Sequence, residues 1–143
     1  MSYIDGERLV EEQIRNVTGF TVDNVGRGTK WKLLNSGNSD HYAVIRKGIH
    51  AETFDGYKIK AKTYRTVIEV LQRVSDDLTD KYDALLEYAD AIADRLEAYR
   101  QLADEAGVVR DANLTGGDEV KEVWIRETLA WIKVELYLDW TEE

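Results

Sequence analysis

Leu129-Ala130-Trp131-Ile132-Lys133-Val134-Glu135-Leu136-Tyr137-Leu138-Asp139-Trp140-Thr141 alternates apolar residues with mostly polar ones almost to the last residue of the chain. Successive side chains of a strand point to opposite sides of a sheet, so this period of two predicts a long structural strand. Ala130, Ile132, Val134, Leu136, Leu138 and Trp140 share one face, which reads as core. Leu129, Trp131, Lys133, Glu135, Tyr137 and Asp139 share the other, mixed enough to meet water or a partner.

Upstream, Tyr57 to Val74 is rich in strand formers, including Ile59, Tyr64, Thr66, Val67, Ile68 and Val70. Gly48 to Gly56 reads as the loop joining it to a strand over Tyr42 to Lys47, which makes a long hairpin arm. Near the tip, Lys58, Lys60 and Lys62 alternate with Tyr57, Ile59 and Ala61, so a row of lysines is expected on one face, where it discourages stray edge pairing. Phe20 to Leu34 reads as one or two short strands broken at Val25-Gly26-Arg27-Gly28, and residues 35–40 as a polar loop.

Two segments have helical periodicity. Ile4 to Val17 carries Leu9, Val10, Ile14 and Val17 at three- and four-residue spacing, with Asp5 placed to cap and Gly19 to terminate. Asp77 to Glu105 carries Leu78, Tyr82, Leu85, Leu86, Ala89, Ile92, Ala93, Leu96 and Ala103 in one stripe, with acids at its start and Gly107 beyond its end. Such a helix spans about 43 Å, as does the last strand, which exceeds what a compact chain of this size encloses, so an elongated subunit is expected. After it, Val108 to Leu114 predicts a short strand, Thr115-Gly116-Gly117-Asp118 a turn, and Glu119 to Thr128 a connection. The fold class is therefore α+β: an N-terminal helix, a long β-hairpin arm, and one long acidic helix packed on a mainly antiparallel sheet closed by the C-terminal strand.

With 143 residues, the chain fits a single domain over 1–143, large enough for a core without disulfides or metals. It has no cysteine, which removes thiolate metal sites and cysteine nucleophiles, and no proline. Neither a secretory leader nor an apolar run of membrane-spanning length is present, so a soluble, non-exported protein is expected, with no membrane partner. The net charge of -9 is unevenly distributed. Residues 27–73 hold ten Lys or Arg against four Asp or Glu, whereas residues 74–106 hold three against ten. The molecule is expected to be bipolar.

No constellation suggests catalysis. His41 and His50 lie in or beside loops without partners at metal-ligand spacing, and read as solvated loop histidines. Gly26-Arg27-Gly28-Thr29-Lys30 lacks the phosphate-loop pattern and opens no helix. The many acids between Asp76 and Glu97 read as a solvated helix face, and no serine stands in a nucleophile elbow. Neither catalytic residues, a cofactor nor a metal is expected. Lys58, Lys60, Lys62 and Arg65, interleaved with Tyr57 and Tyr64, fit a single-strand nucleic-acid binder, but the overall acidity weighs against nucleic acid. The same bipolarity suits self-association, in which the basic arm of one subunit meets the acidic helix of the next and the contacts close into a ring.

Trp31-Lys32-Leu33-Leu34-Asn35-Ser36-Gly37, a polar loop, then Tyr42-Ala43-Val44-Ile45-Arg46-Lys47-Gly48 follow one another in an order that resembles the tail terminator proteins of long-tailed bacteriophages, lambda-like neck components. The likeness extends over nearly the whole chain, to the terminal Asp139-Trp140-Thr141-Glu142-Glu143, although Arg46-Lys47-Gly48 stands where such sequences often have Arg-Pro-Gly. It implies a virion protein made in the host cytoplasm: a homo-oligomeric ring, a hexamer, that caps the tail tube, ends its polymerisation and joins the tail to the head-tail connector protein. Head-completion proteins of the same neck, also small α+β chains, are the alternative. On this reading Lys58, Lys60, Lys62 and Arg65 contact a neighbour or the tail tube protein, Asp83, Glu87, Asp90, Asp94 and Glu97 present the complementary surface, and Trp31 and Trp131 are apolar anchors.

Overall fold

A computed structural model describes residues 3–28, 39–49, 51–56, 58–74, 78–106 and 111–142. Among them the chain runs through α1 (Tyr3–Arg15), β1 (Val25–Arg27), β2 (His41–Lys47), β3 (Ala51–Asp55), β4 (Lys58–Arg73), α2 (Leu78–Ala106), β5 (Asp111–Ile125) and β6 (Thr128–Glu142). The class is α+β. One open six-stranded sheet has the order β1-β2-β4-β6-β5, with β3 paired to β4 beyond the end of β2. Only β1 and β2 are parallel.

The C-terminal strand does not close this sheet: β6 lies between β4 and β5, and β5 forms the edge. Strands with a hairpin partner on one side and a long antiparallel partner on the other must be interior. β6 meets both conditions, pairing with β4 from Lys62↔Glu142 to Arg73↔Trp131 and with β5 from Asp111↔Thr141 to Ile125↔Thr128.

Both helices contribute to one core. Val10 and Ile14 of α1 and Leu85, Ala89, Ile92 and Leu96 of α2 pack with Ile45, Ile68, Val70, Ile132, Val134, Leu136, Leu138 and Trp140. The predicted stripe of α2 is thus buried in its middle, while Leu78 and Tyr82 at its start stay 49% and 43% exposed. Helix α1 begins at Tyr3, so Asp5 sits in its first turn, where the helix dipole favours an acid, and is not the cap. Gly19 has φ 93°, the left-handed geometry expected past a helix end. No helix among the described residues is long and apolar enough to cross a membrane.

Four local expectations change. β1 occupies Val25–Arg27, where a break was expected. Ala51–Asp55, expected as loop, is a strand paired with the outer part of β4, so the arm turns near Gly56. Thr115-Gly116-Gly117-Asp118 is no turn but an irregularity inside β5: pairing steps from Gly116↔Leu136 to Val120↔Val134, and Gly116 and Gly117 take φ of 95° and 82°. The chain reverses instead at Arg126, which has φ 57°. Finally, β6 skips a position at Ala130, since Val123 pairs with Trp131 and Trp124 with Leu129. That skip reverses the alternation at its start. Leu129 therefore lines the same groove as Ile132, and Ala130 packs with Trp131.

Candidate interaction surfaces

The face of the sheet away from the helices carries an ionic ladder across four strands. Lys133 Nζ of β6 lies 3.2 Å from Glu69 Oε1 of β4 and 3.2 Å from Glu135 Oε1, Arg46 Nε of β2 lies 3.7 Å from Glu69, and Lys121 of β5 reaches Glu135 at 3.4 Å. The Tyr137 hydroxyl donates to Glu135 Oε2 at 2.7 Å. Burial would raise the Glu135 carboxyl, but the Tyr137 and Lys133 hydrogen bonds and the charges of Lys133 and Lys121 outweigh it and hold it at about 2. Likewise, burial pushes the Lys133 ammonium down, and its two carboxylate partners push it above its ordinary value. At one end of this face is an apolar island of Tyr42, Val44, Leu71 and Trp131, with the Arg73 guanidinium 4.9 Å above the Trp131 ring.

Trp131 is therefore a second-core residue, 4% exposed, and not a free anchor. Among the described residues the exposed tryptophan is Trp124, at 55%, in a segment expected to be a mere connection. An aromatic next to Ile125 between charged residues was the available signal. Trp31 lies outside the described residues.

Arg65 is committed within the subunit. Its Nε and Nη2 donate to Asp139 Oδ1 and Oδ2 at 2.8 and 2.9 Å, and its guanidinium lies 5.0 Å over the Tyr137 ring. The side chains of Lys58, Lys60 and Lys62 lie outside the described residues. Their backbone runs opposite β3, where Thr53 pairs with Ala61 but Phe54 with Ile59, a bulge at Lys60 that interrupts the strict alternation on which a single lysine row depends.

Asp83, Glu87, Asp90, Asp94 and Glu97 are all exposed on α2. Steps of four, three, four and three residues keep them in one line along the helix. Among the described residues none of the five forms an ion pair.

His41 departs from the expected solvated loop histidine. It opens β2 with a side chain only 13% exposed, stacks on Tyr88 of α2 at 4.3 Å and meets Phe20 edge-on at 5.2 Å. Its Nδ1 lies 2.8 Å from Asp40 Oδ1, and Nε2 faces the Gly19 carbonyl oxygen. The His41 hydrogen bond, and Lys81 beside it, hold the Asp40 carboxyl at about 2 against the opposing effect of burial. With both nitrogens engaged, the cluster pins the α1–β1 connection and β2 to α2. His50 lies outside the described residues, and among those described no group of three or more His, Asp or Glu is placed to hold a metal.

A groove of ≈ 400 Å³ opens between the start of α2 and the β5–β6 hairpin, lined by Leu78, Thr79, Tyr82, Val120, Glu122, Leu129 and Ile132. Trp124 stands beside it, its Nε1 donating to Glu122 Oε2 at 3.0 Å. No protein-family model matches the chain, and no curated protein matches it in sequence.

Proposed function

We propose that this chain is a structural assembly subunit of a phage neck, of the tail terminator kind, and works by binding alone. Copies form a ring, a hexamer, that caps the tail tube, ends its polymerisation and presents a surface to the head-tail connector. The observation that carries this reading is the acidic line on α2: five exposed carboxylates, unpaired among the described residues, on a chain whose residues 27–73 are basic.

Since Arg65 is already bound to Asp139, the basic side of the contact falls to Lys58, Lys60 and Lys62 on the arm. The same commitment weakens the single-strand nucleic-acid reading, which needs Arg65 free for phosphate. Each exposed ion pair contributes about 0.2 to 1 kcal/mol, so charge sets the register of neighbours while apolar burial holds them together. The test is light scattering of the purified protein, followed by electron microscopy of mixtures with tail tubes. Discrete oligomers near six subunits, seated on tube ends, are expected. A monomer at high concentration that ignores tail tubes removes the proposal.

A further inference from the structure

Both ring nitrogens of His41 face oxygens that can only accept hydrogen bonds. Nδ1 lies 2.8 Å from Asp40 Oδ1, and Nε2 faces the Gly19 carbonyl oxygen. The Asp40 carboxyl is held at about 2 by the His41 hydrogen bond and by Lys81, so it is an anion throughout the range in which histidine changes charge. A neutral imidazole has one N–H and one lone pair. Whichever nitrogen lacks the proton would therefore point its lone pair at another lone pair, and only the imidazolium satisfies both contacts.

Neither the ring nor its acceptors have room to turn away. The side chain of His41 is only 13% exposed, stacked on Tyr88 at 4.3 Å and met edge-on by Phe20. Gly19 has φ 93°, and a Cβ there would lie 3.0 Å from the Tyr88 ring, so its backbone is seated by close approach. Its carbonyl also accepts from Nδ2 of the buried Asn24 at 2.9 Å, which fixes its direction. Asp40 is tied on the other side: its backbone carbonyl accepts from the Arg73 N–H at 2.6 Å and from Gln72 Nε2 at 3.0 Å, and Oδ2 from Lys81 Nζ at 3.0 Å.

The charges around the ring come from two elements. Asp40, before β2, favours the cation, and Lys81 of α2, on the far oxygen of Asp40, opposes it. Tyr88 of α2 has its hydroxyl pushed above the ordinary value, chiefly by burial, and stays neutral; Glu87 beside it points to solvent. From the α1–β1 connection, Gly19, Phe20 and Asn24 bring no charge.

We infer that His41 is a proton-operated latch, in which the imidazolium ties Gly19 of the α1–β1 connection to the start of β2 and to α2. Loss of the proton releases the Gly19 end first, because the Asp40 anion keeps the remaining N–H on Nδ1. The connection then loosens at His41 without leaving the core, since Asn24 and the buried Phe20 still hold it. A proton bound more firmly by the folded chain than by the unfolded one adds stability that is complete at low pH and is lost as the pH rises through the histidine range. Asp40 is 49% exposed, so water screens the attraction and keeps the effect modest.

The test uses the full chain carrying His50→Gln, which leaves His41 as its one histidine. Nitrogen NMR of the ring between pH 5.5 and pH 9 should show protons on both nitrogens at the low end and a neutral form protonated at Nδ1 at the high end. In urea unfolding, the folding equilibrium constant should fall at least about threefold over the same range. Adding His41→Gln should abolish that part of the fall. A neutral ring protonated at Nε2, stability that does not fall as the pH rises, or an equal fall in the His41→Gln protein overturns the latch. Circular dichroism checks that His41→Gln folds; if it does not, the ring spectrum of the His50→Gln protein decides alone.

Discussion

β6 borders two environments, and its neighbouring residues sample them in turn. Ile132, Val134, Leu136, Leu138 and Trp140 face the helices and are at most 4% exposed. Lys133, Glu135, Tyr137 and Asp139 face away and find partners in Glu69, Lys121 and Arg65 on the adjoining strands. Since backbone and pairing are shared, the difference between the faces is one of side-chain chemistry alone. The covered face gains its free energy from burial, roughly 1.5–3 kcal/mol for each enclosed aliphatic side chain. The ladder gains little, because attraction between its charges is largely cancelled by their lost hydration. What the ladder does supply is register: a slip of one residue would set Lys133 beside Ile68 or Val70 and bring the core residues into water.

The largest expected effect is therefore on the covered face. Trp140 is 1% exposed, stacks 5.7 Å from Tyr3, tilts 4.9 Å from Tyr64 and donates its indole N–H to Thr66 Oγ1 at 3.2 Å. Trp140→Ala should lower stability by about 3–5 kcal/mol in urea unfolding. A loss under 1 kcal/mol would mean that the two faces do not differ as described. Next in size is Gly6→Ala, since a Cβ on Gly6 would come 2.6 Å from Trp140 Cζ2, inside any real contact. Overpacking of that kind costs about 1–3 kcal/mol, and Gly6→Ala in a Trp140→Phe background should recover part of it.

The same contrast explains what could be read from the residues. Alternation from Ile132 onward and the stripe from Leu85 to Leu96 are local periods, and the covered face follows from them directly. β5 was not legible, because Gly116-Gly117 has the composition of a turn and of a bulge alike, and only pairing with Leu136 and Val134 decides between them. Ala51–Asp55 is hidden for a similar reason: Glu52 and Asp55 are poor strand formers, and the segment is a strand because β4 offers it an edge. On the open face, Arg65 finds Asp139 only through a register 74 residues long in sequence separation, so its commitment could not be foreseen. Trp131 keeps the phase read from the alternation, on the face of Lys133, and is buried there because Tyr42, Leu71 and Arg73 from other strands surround it, which no local pattern shows.

Acid should separate the faces further. Glu135 has an ordinary value of 4.5 and is held at about 2 in the folded chain, and Asp40 falls from 3.8 to about 2. A carboxyl whose folded value is depressed adds stability that is complete above its unfolded value and is lost as the pH falls toward the folded one. Unfolding midpoints should thus decline between about pH 5 and pH 2. Glu135→Gln should be less stable than wild type at pH 7 and show a shallower decline across that window. Curves that stay parallel would show that the ladder does not contribute through Glu135.

The smallest expected effect tests the far end of the ladder, where geometry is best but water is nearest. Arg65 and Asp139 form two parallel hydrogen bonds of 2.8 and 2.9 Å, yet their side chains remain 45% and 27% exposed. Good geometry favours a strong pair, and exposure screens it; for such sites screening usually wins, leaving about 0.2–1 kcal/mol. A double-mutant cycle with Arg65→Ala and Asp139→Ala should return a coupling in that range, falling further in 1 M salt. Arg65 also covers the Tyr137 ring, a contact that salt does not screen as strongly, so Arg65→Ala should cost more than Asp139→Ala. Coupling well above 1 kcal/mol would place this pair with the covered face in energetic terms, and the division of β6 into a cohesive side and a register-setting side would then end at Tyr137.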